Sequence, residues 1–355
     1  MLSGPLARMA PTMQRPLRIA LASALLVLGA SHVAAAAPPA DYRVLSRLPL
    51  GGPGGWDYLT FDAQHRHLFV SRGDRVQVVD VDQDKLIGTI PGTSSVHGIA
   101  LDPELGRGYT SNGQTASVTV FDLASLAVLA TITGTGEKPD AILYDASSKH
   151  VLTFNGKGHS VSVIDPARNA VVATIALAGK PEFAVTDEAG HVYVNVEDRA
   201  ELVKIDSHSN AVVASWKLGK CESPSGLAID TAKHRLFSVC DNQLMAVVDA
   251  DSGRLVASVP IGEGPDAVVF DAGSSMVFSS NGESGTITAV HQDDADHYSV
   301  AATIPTQPSA RTLALDAQRH RLYLSAAQWV SPPAAGGGRP AMVPDSFTVL
   351  TVGRP

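Results

Sequence analysis

Seven acids end seven short apolar runs at nearly equal intervals along this chain. Asp62, Asp102, Asp145, Asp187, Asp230, Asp271 and Asp316 are separated by 40, 43, 42, 43, 41 and 45 residues. Self-similarity at that period means copies of one supersecondary unit, stacked radially or as a solenoid. Each unit holds four short β-rich runs: "DYLTFD", "HLFVSR", "VQVVDV" and "KLIGTI" in the first, "DAILYD", "HVLTFN", "VSVIDP" and "VVATIA" in the third. Runs of this length, rich in Val, Ile and Thr and punctuated by Gly, Asn, Asp and Pro, read as strands and hairpins. None carries a helical 3.6-residue stripe. Four strands in about 42 residues make a propeller blade. Length alone allows one large domain or two; the repeat argues for one.

The fold class expected is therefore all-β, a seven-bladed β-propeller with four-stranded antiparallel blades, over residues 42–354. The seventh unit stops after three strands, "TLALD", "RLYLSA" and "FTVLTV", while "YRVLSRLPLG" (42–51) precedes the first unit and looks like a fourth strand. The N-terminal strand is expected to complete blade seven and close the ring, leaving no free sheet edge. Without such an edge, a monomer is expected.

Residues 1–36 read as a Sec-type signal peptide that is removed, with 37–41 as a short linker. Arg15 and Arg18 precede an apolar run from Ile19 to Leu28 and a tail of small residues. That run is too short for a membrane span, and no later stretch is long enough, so no membrane insertion is expected. A periplasmic or secreted location follows. Without the leader the chain has 24 basic and 35 acidic residues, a net charge of −11. Such a charge disfavours non-specific nucleic-acid binding. The two cysteines, Cys221 and Cys240, are a candidate disulfide in such a compartment; two separate buried thiols are the alternative.

Five residues before each strand-ending acid lies one equivalent position: Asp57, His97, Asp140, Glu182, Ser225, Asp266 and Arg311. The innermost strand of every blade follows the central channel, so these heads should converge around one mouth. An acid there meets water rather than core. Asp57, His97, Asp140, Glu182, Asp266 and Arg311 are the candidate ligand-binding set. No cofactor is required by the sequence. Asp57, Asp140, Glu182 and Asp266 are candidate ligands for a divalent cation, Ca²⁺ or Mg²⁺, and His97 with an acid would suit a transition metal.

A second ring, ten residues beyond the acids, is Arg72, Asn112, Asn155, Glu197, Cys240, Asn281 and Ala326. Asn112, Asn155 and Asn281 each precede Gly and read as turn formers. His65, His67, His150, His191, His234 and His320 fall near the turns at the opposite face and read as turn contacts. "GGPGG" (51–55) lacks the Lys-Ser/Thr of a phosphate loop. A Pro/Gly-rich insertion at 328–346 in blade seven, with Trp329 and Arg339, is a candidate lid or docking loop on the acidic face.

The runs "VSVIDPARNAVVATIALAGKP" (161–181) and "GEGPDAVVFDAGSSMVFSSNGESGTITAV" (262–290) resemble the YVTN-type repeat of the YncE-like β-propeller family. The resemblance spans the mature chain and implies an exported or surface seven-bladed propeller. The Tyr-Val-Thr-Asn string itself is worn to "YTSN" and "LTFN", which weakens any transfer of function. Three functions fit. The first is an exported binding protein with an unknown protein or small-molecule ligand at the acidic mouth. The second is a metal-dependent hydrolase resembling the lactonase-type propellers, and the third a non-catalytic structural envelope protein. No Ser/His/Asp or Cys/His signature marks nucleophilic catalysis.

Overall fold

Among the residues described by the computed structural model, which are Met1, Gly4, 41–330 and 341–355, short alternating runs build seven separate four-stranded antiparallel sheets. The expected signal peptide and the centre of the 328–346 insertion, Arg339 included, lie outside the described residues. The propeller belongs to the unit Pro38–Pro355. Blades one to six run in chain order from Leu59–Asp62 to Tyr298–Pro305. In blade seven, Leu313–Asp316, Arg321–Ala326 and Thr348–Gly353 are joined by Arg43–Pro49 from the other end of the chain. That pairing runs from Arg43 opposite Gly353 to Pro49 opposite Thr348, so the closure expected from the sequence is present. No helix among the described residues is long and apolar enough to cross a membrane.

The core lies between blades. Phe69, Val76 and Val78 of blade one pack with Val96, Ile99 and Phe121 of blade two. Phe278, Ile287 and Ala289 of blade six pack with Leu322, Leu324 and Leu350 of blade seven, with Tyr42 from the chain start. Fully burying one such side chain contributes about 1.5–3 kcal/mol, which makes these blade faces the main cohesive element.

The repeated strand-ending acids have a structural task. Asp62 Oδ1 accepts the backbone N–H groups of Gln64 and His65, and Asp102 Oδ1 those of Glu104 and Leu105. Each acid thus caps the turn after its strand. Several also tie blades together: Thr186 donates to Asp145 at 2.6 Å, and Arg66 to Asp316 at 2.7 Å. Four of the six turn histidines meet acids as expected, while the Nδ1 atoms of His67 and His150 are buried without a hydrogen-bond partner among the described residues. His65, His191, His234 and His320 meet Asp62, Asp187, Asp251 and Asp271.

The glycine-rich segment 51–55 carries the chain from the closing strand into blade one. Its carbonyls point at Arg72, which is fully buried and donates to Gly51, Gly52, Pro53, Gly54 and Gly55. The Arg72 guanidinium also stacks 3.6 Å from the Phe347 ring centroid and bonds Gln77. Burial lowers its pKa to about 10, with Arg75 adding to the effect, so it stays charged at neutral pH.

Candidate functional site

The heads of the inner strands are re-aimed by bulges. In blade three, Pro139 pairs with Asn155 and Ile142 with Thr153, which leaves one extra residue at Asp140–Ala141. Equivalent shifts fall at Val96/Ile99, Pro181/Ala184, Pro224/Leu227 and Pro265/Ala267. An extra residue bends the strand and turns its side chain. Blades one and seven differ: their inner strands begin only at Leu59 and Leu313, so Asp57 and Arg311 precede the ladder. Side chains hold that entry instead, with Ser71 Oγ accepting the Asp57 N–H at 2.8 Å and Thr312 donating to Asp57 O at 2.7 Å.

Three heads from adjacent blades meet. His97 Nδ1 lies 2.6 Å from Asp57 Oδ2 and 3.4 Å from Asp140 Oδ1. One donor atom from each of Asp57, His97 and Asp140 falls within 4.8 Å of the others. Glu182 and Asp266 do not join that group among the described residues. Arg311 reaches across blade seven to Asp266 at 2.7 Å, to Asp57 at 3.6 Å and to the Trp56 carbonyl at 3.0 Å. Ser225 donates to the Pro265 carbonyl and serves the blade interface.

Two lysines complete the ring. Lys138 Nζ stands 3.4 Å from Asp140 Oδ2, and Lys180 Nζ stands 3.6 Å from Glu182 Oε2 while also pairing with Glu197. The mouth is therefore a ring of alternating charges rather than a bare acidic funnel. Both lysines sit two residues before an acid, in "KPD" and "KPE", a signal readable in the sequence. Below the ring, Tyr58 of blade one and Phe183 of blade four meet edge to face at 5.2 Å, narrowing the channel across its axis.

These surroundings shift the titrations. Burial raises the Glu182 pKa to about 8, helped by Asp140 and Glu197 and opposed by Lys180. Burial likewise raises Asp266 to about 6 against the pull of Arg311, and Asp140 is raised by burial against the pull of His97. Burial works against a charged His97, but the Asp57 hydrogen bond and the Asp140 charge outweigh it, so its pKa is raised. Burial and the four ring carboxylates push the Tyr58 hydroxyl well up.

The asparagines of the second ring do not line the mouth, whereas Glu197 reaches it through Lys180. Asn112, Asn155 and Asn281 are fully buried and each clamps its own blade. Asn155 accepts from Thr153 and donates to Ser160 and Ser162; Asn112 and Asn281 repeat this with Thr110, Ser117 and Thr119, and with Ser279, Thr286 and Thr288. In blades three and six the residue nineteen earlier is a glycine lying on top of the amide, where a Cβ on Gly136 would fall 2.6 Å from Asn155 Nδ2 and one on Gly262 2.7 Å from Asn281 Nδ2; in blade two it is Thr93. In blade five the same two positions, also 19 residues apart, are Cys221 and Cys240, joined as a disulfide. A covalent bond stands where blades three and six use a glycine over an amide.

Beside the mouth opens a pocket of about 810 Å³, lined by Trp56, Trp329, Asp266, Glu283 and Arg311 together with glycine and proline backbone. Trp329 reaches it on the described base of the blade-seven insertion, where Trp329 bridges Met342, and stacks on Trp56 at 5.6 Å. Trp56 is buried, and its indole N–H has no partner among the described residues.

No protein-family model matches the chain. It is 29% identical over 150 residues, 41% of its length, to "Uncharacterized protein YncE" of Salmonella typhimurium, and equally to that of Salmonella typhi. The matched stretch spans about two fifths of the length of those curated relatives. Among solved structures, the RRP9 WD40 repeats superpose with a TM-score of 0.72 at 14% identity, covering 89% of this chain and 99% of theirs. The structure of U3-55K gives the same TM-score and identity, covering 88% and 99%. At that identity the likeness is one of fold.

Proposed function

For this YncE-like seven-bladed propeller, we propose an exported binding protein whose ligand or protein partner engages the channel mouth. The observation that carries the reading is the convergence at one mouth of paired charges from six blades with a large pocket alongside. A propeller offers a rigid ring on which such groups are held without motion, and shielded charges with an aromatic wall favour recognition. The leader-like N-terminus and the cystine support export, since disulfides persist in oxidising compartments.

Thermal-shift screening of the mature protein against a small-ligand panel tests this. A ligand that binds the fold raises Tm. The shift should vanish in a D266N/R311Q double variant and persist in R319Q on the opposite face. A shift that survives D266N/R311Q refutes the mouth as the site. No shift from any ligand or partner favours the structural envelope reading.

A second reading rests on Asp57, His97 and Asp140. Two carboxylates and an imidazole suit a transition metal better than Ca²⁺ or Mg²⁺, which take six or more oxygens. In a metal-dependent hydrolase these three would hold an ion that activates water. Lys138 and Arg311 already bring positive charge to the same carboxylates, which places this reading second. Elemental analysis of protein purified without chelator, beside D57A/D140A, separates the two.

A further inference from the structure

We propose that the pocket between blades six, seven and one takes a cation carried on an alkyl stem, a guanidinium or ammonium group. The proposal rests on the binding reading above and names the ligand chemistry. The free charge in this pocket is negative. Glu283 makes no ion pair among the described residues, and its stem lies across Gly264, where a Cβ would fall 2.5 Å from its Cγ. Glycine is the residue that leaves room for it. Arg311, the one lining cation among the described residues, is consumed by Asp266 at 2.7 Å and the Trp56 carbonyl at 3.0 Å, with Asp57 at 3.6 Å behind. An incoming anion would have to break that arrangement; an incoming cation leaves it intact.

The aromatic wall selects the same chemistry. One face of Trp56 is taken by Phe347 at 5.4 Å and another by Trp329 at 5.6 Å. Trp329 is 44% exposed, so indole surface remains beside the pocket. An indole face attracts guanidinium and ammonium groups, and the apolar stem packs on glycine and proline backbone. The net charge of the mature chain, −11, steers cations inward and anions away. The pocket is also roomier than one side chain needs, at about 810 Å³. Basic peptide segments and free organic amines both carry the required group.

Calorimetric titration distinguishes these. The probes are acetyl-Gly-Arg-Gly-amide, its neutral citrulline analogue, its Glu analogue, and choline and putrescine as free amines. We expect saturable binding of a cationic probe, at least about tenfold weaker for citrulline and for the E283Q and W329L variants, and none for the Glu peptide. Tighter binding of the Arg peptide than of choline or putrescine identifies a peptide source; the reverse identifies a free amine. Equal binding of Arg and citrulline peptides, preference for Glu, or no saturable response to any cation overturns the proposal. If that happens while the thermal shifts still vanish in D266N/R311Q, only the cation assignment falls and the mouth stands as a binding site.

Discussion

His97 Nδ1 sits 2.6 Å from Asp57 Oδ2, joining the inner strands of blades one and two at the rim of the channel. The same carboxylate faces Arg311 of blade seven, so Asp57 is held from both sides. The rim is thus a set of interblade contacts as well as a polar surface, and its protonation is linked to stability.

The sign of that linkage is the same for three groups. His97 has a raised folded pKa, so its contribution is full below about 6.5 and is lost as pH rises through the folded value. Glu182, raised to about 8, and Asp266, raised to about 6, hold extra protons in the fold above their ordinary values; stability again falls as pH rises through that interval. Melting temperatures measured from about pH 5 to about pH 9 should therefore decline, and E182Q should flatten the decline from about pH 5 to about pH 8, where Glu182 holds its extra proton. Parallel profiles for E182Q and wild type would show that Glu182 is not titrating there.

The asparagine clamps predict a cost confined to one blade. N155A strands the hydroxyls of Thr153, Ser160 and Ser162 in a buried setting, at about 1–3 kcal/mol. Urea denaturation reads this directly. A loss below about 0.5 kcal/mol would mean that water replaces the amide.

The blade count and the closing strand were legible because period, strand length and strand-ending acids repeat in the sequence itself. The rim heads were legible for the same reason, as one offset from those acids. The clamp was also written there, as an Asn with hydroxyls at −2, +5 and +7 in "TSNGQTASVT", "TFNGKGHSVS" and "SSNGESGTIT". The Tyr58–Phe183 contact was not, because it depends on blades one and four facing each other across the axis. Nor was the Trp56–Trp329 stack, which depends on where the Trp329–Met342 bridge sets the indole.

In blade five the cystine replaces the asparagine together with its two acceptors, while the −2 hydroxyl remains as Ser238. Met245 and Val247 occupy the +5 and +7 positions where blade three has Ser160 and Ser162. C221S/C240S should cost about 2–4 kcal/mol in urea denaturation. C221G/C240N should not recover it, because the new amide N–H groups find no hydroxyls at +5 and +7 and the −2 hydroxyl, Ser238, already donates to Asn195; adding M245S and V247S should recover part. Recovery by C221G/C240N alone would refute the equivalence.

Arg72 supports the closure of the ring through the entry segment of blade one. Its guanidinium donates to the carbonyls of segment 51–55 and lies against Phe347, which belongs to the blade-seven side. Without it those carbonyls lose their shared donor and the segment loses its anchor. R72M should destabilise by about 3–5 kcal/mol, the range for removing one partner of a buried charged network. R72K should restore less than half, since one ammonium cannot reproduce a planar fork of donors. R75M, on a half-buried arginine whose guanidinium bonds Asp74 and the Pro53 carbonyl among the described residues, should cost no more than about 1 kcal/mol. Limited proteolysis under native conditions adds a local readout, with cleavage at 51–55 expected in R72M before any other site. If R72M matches R75M in stability and its 51–55 segment stays protected, the Phe347 packing alone holds the closure and Arg72 is dispensable to it.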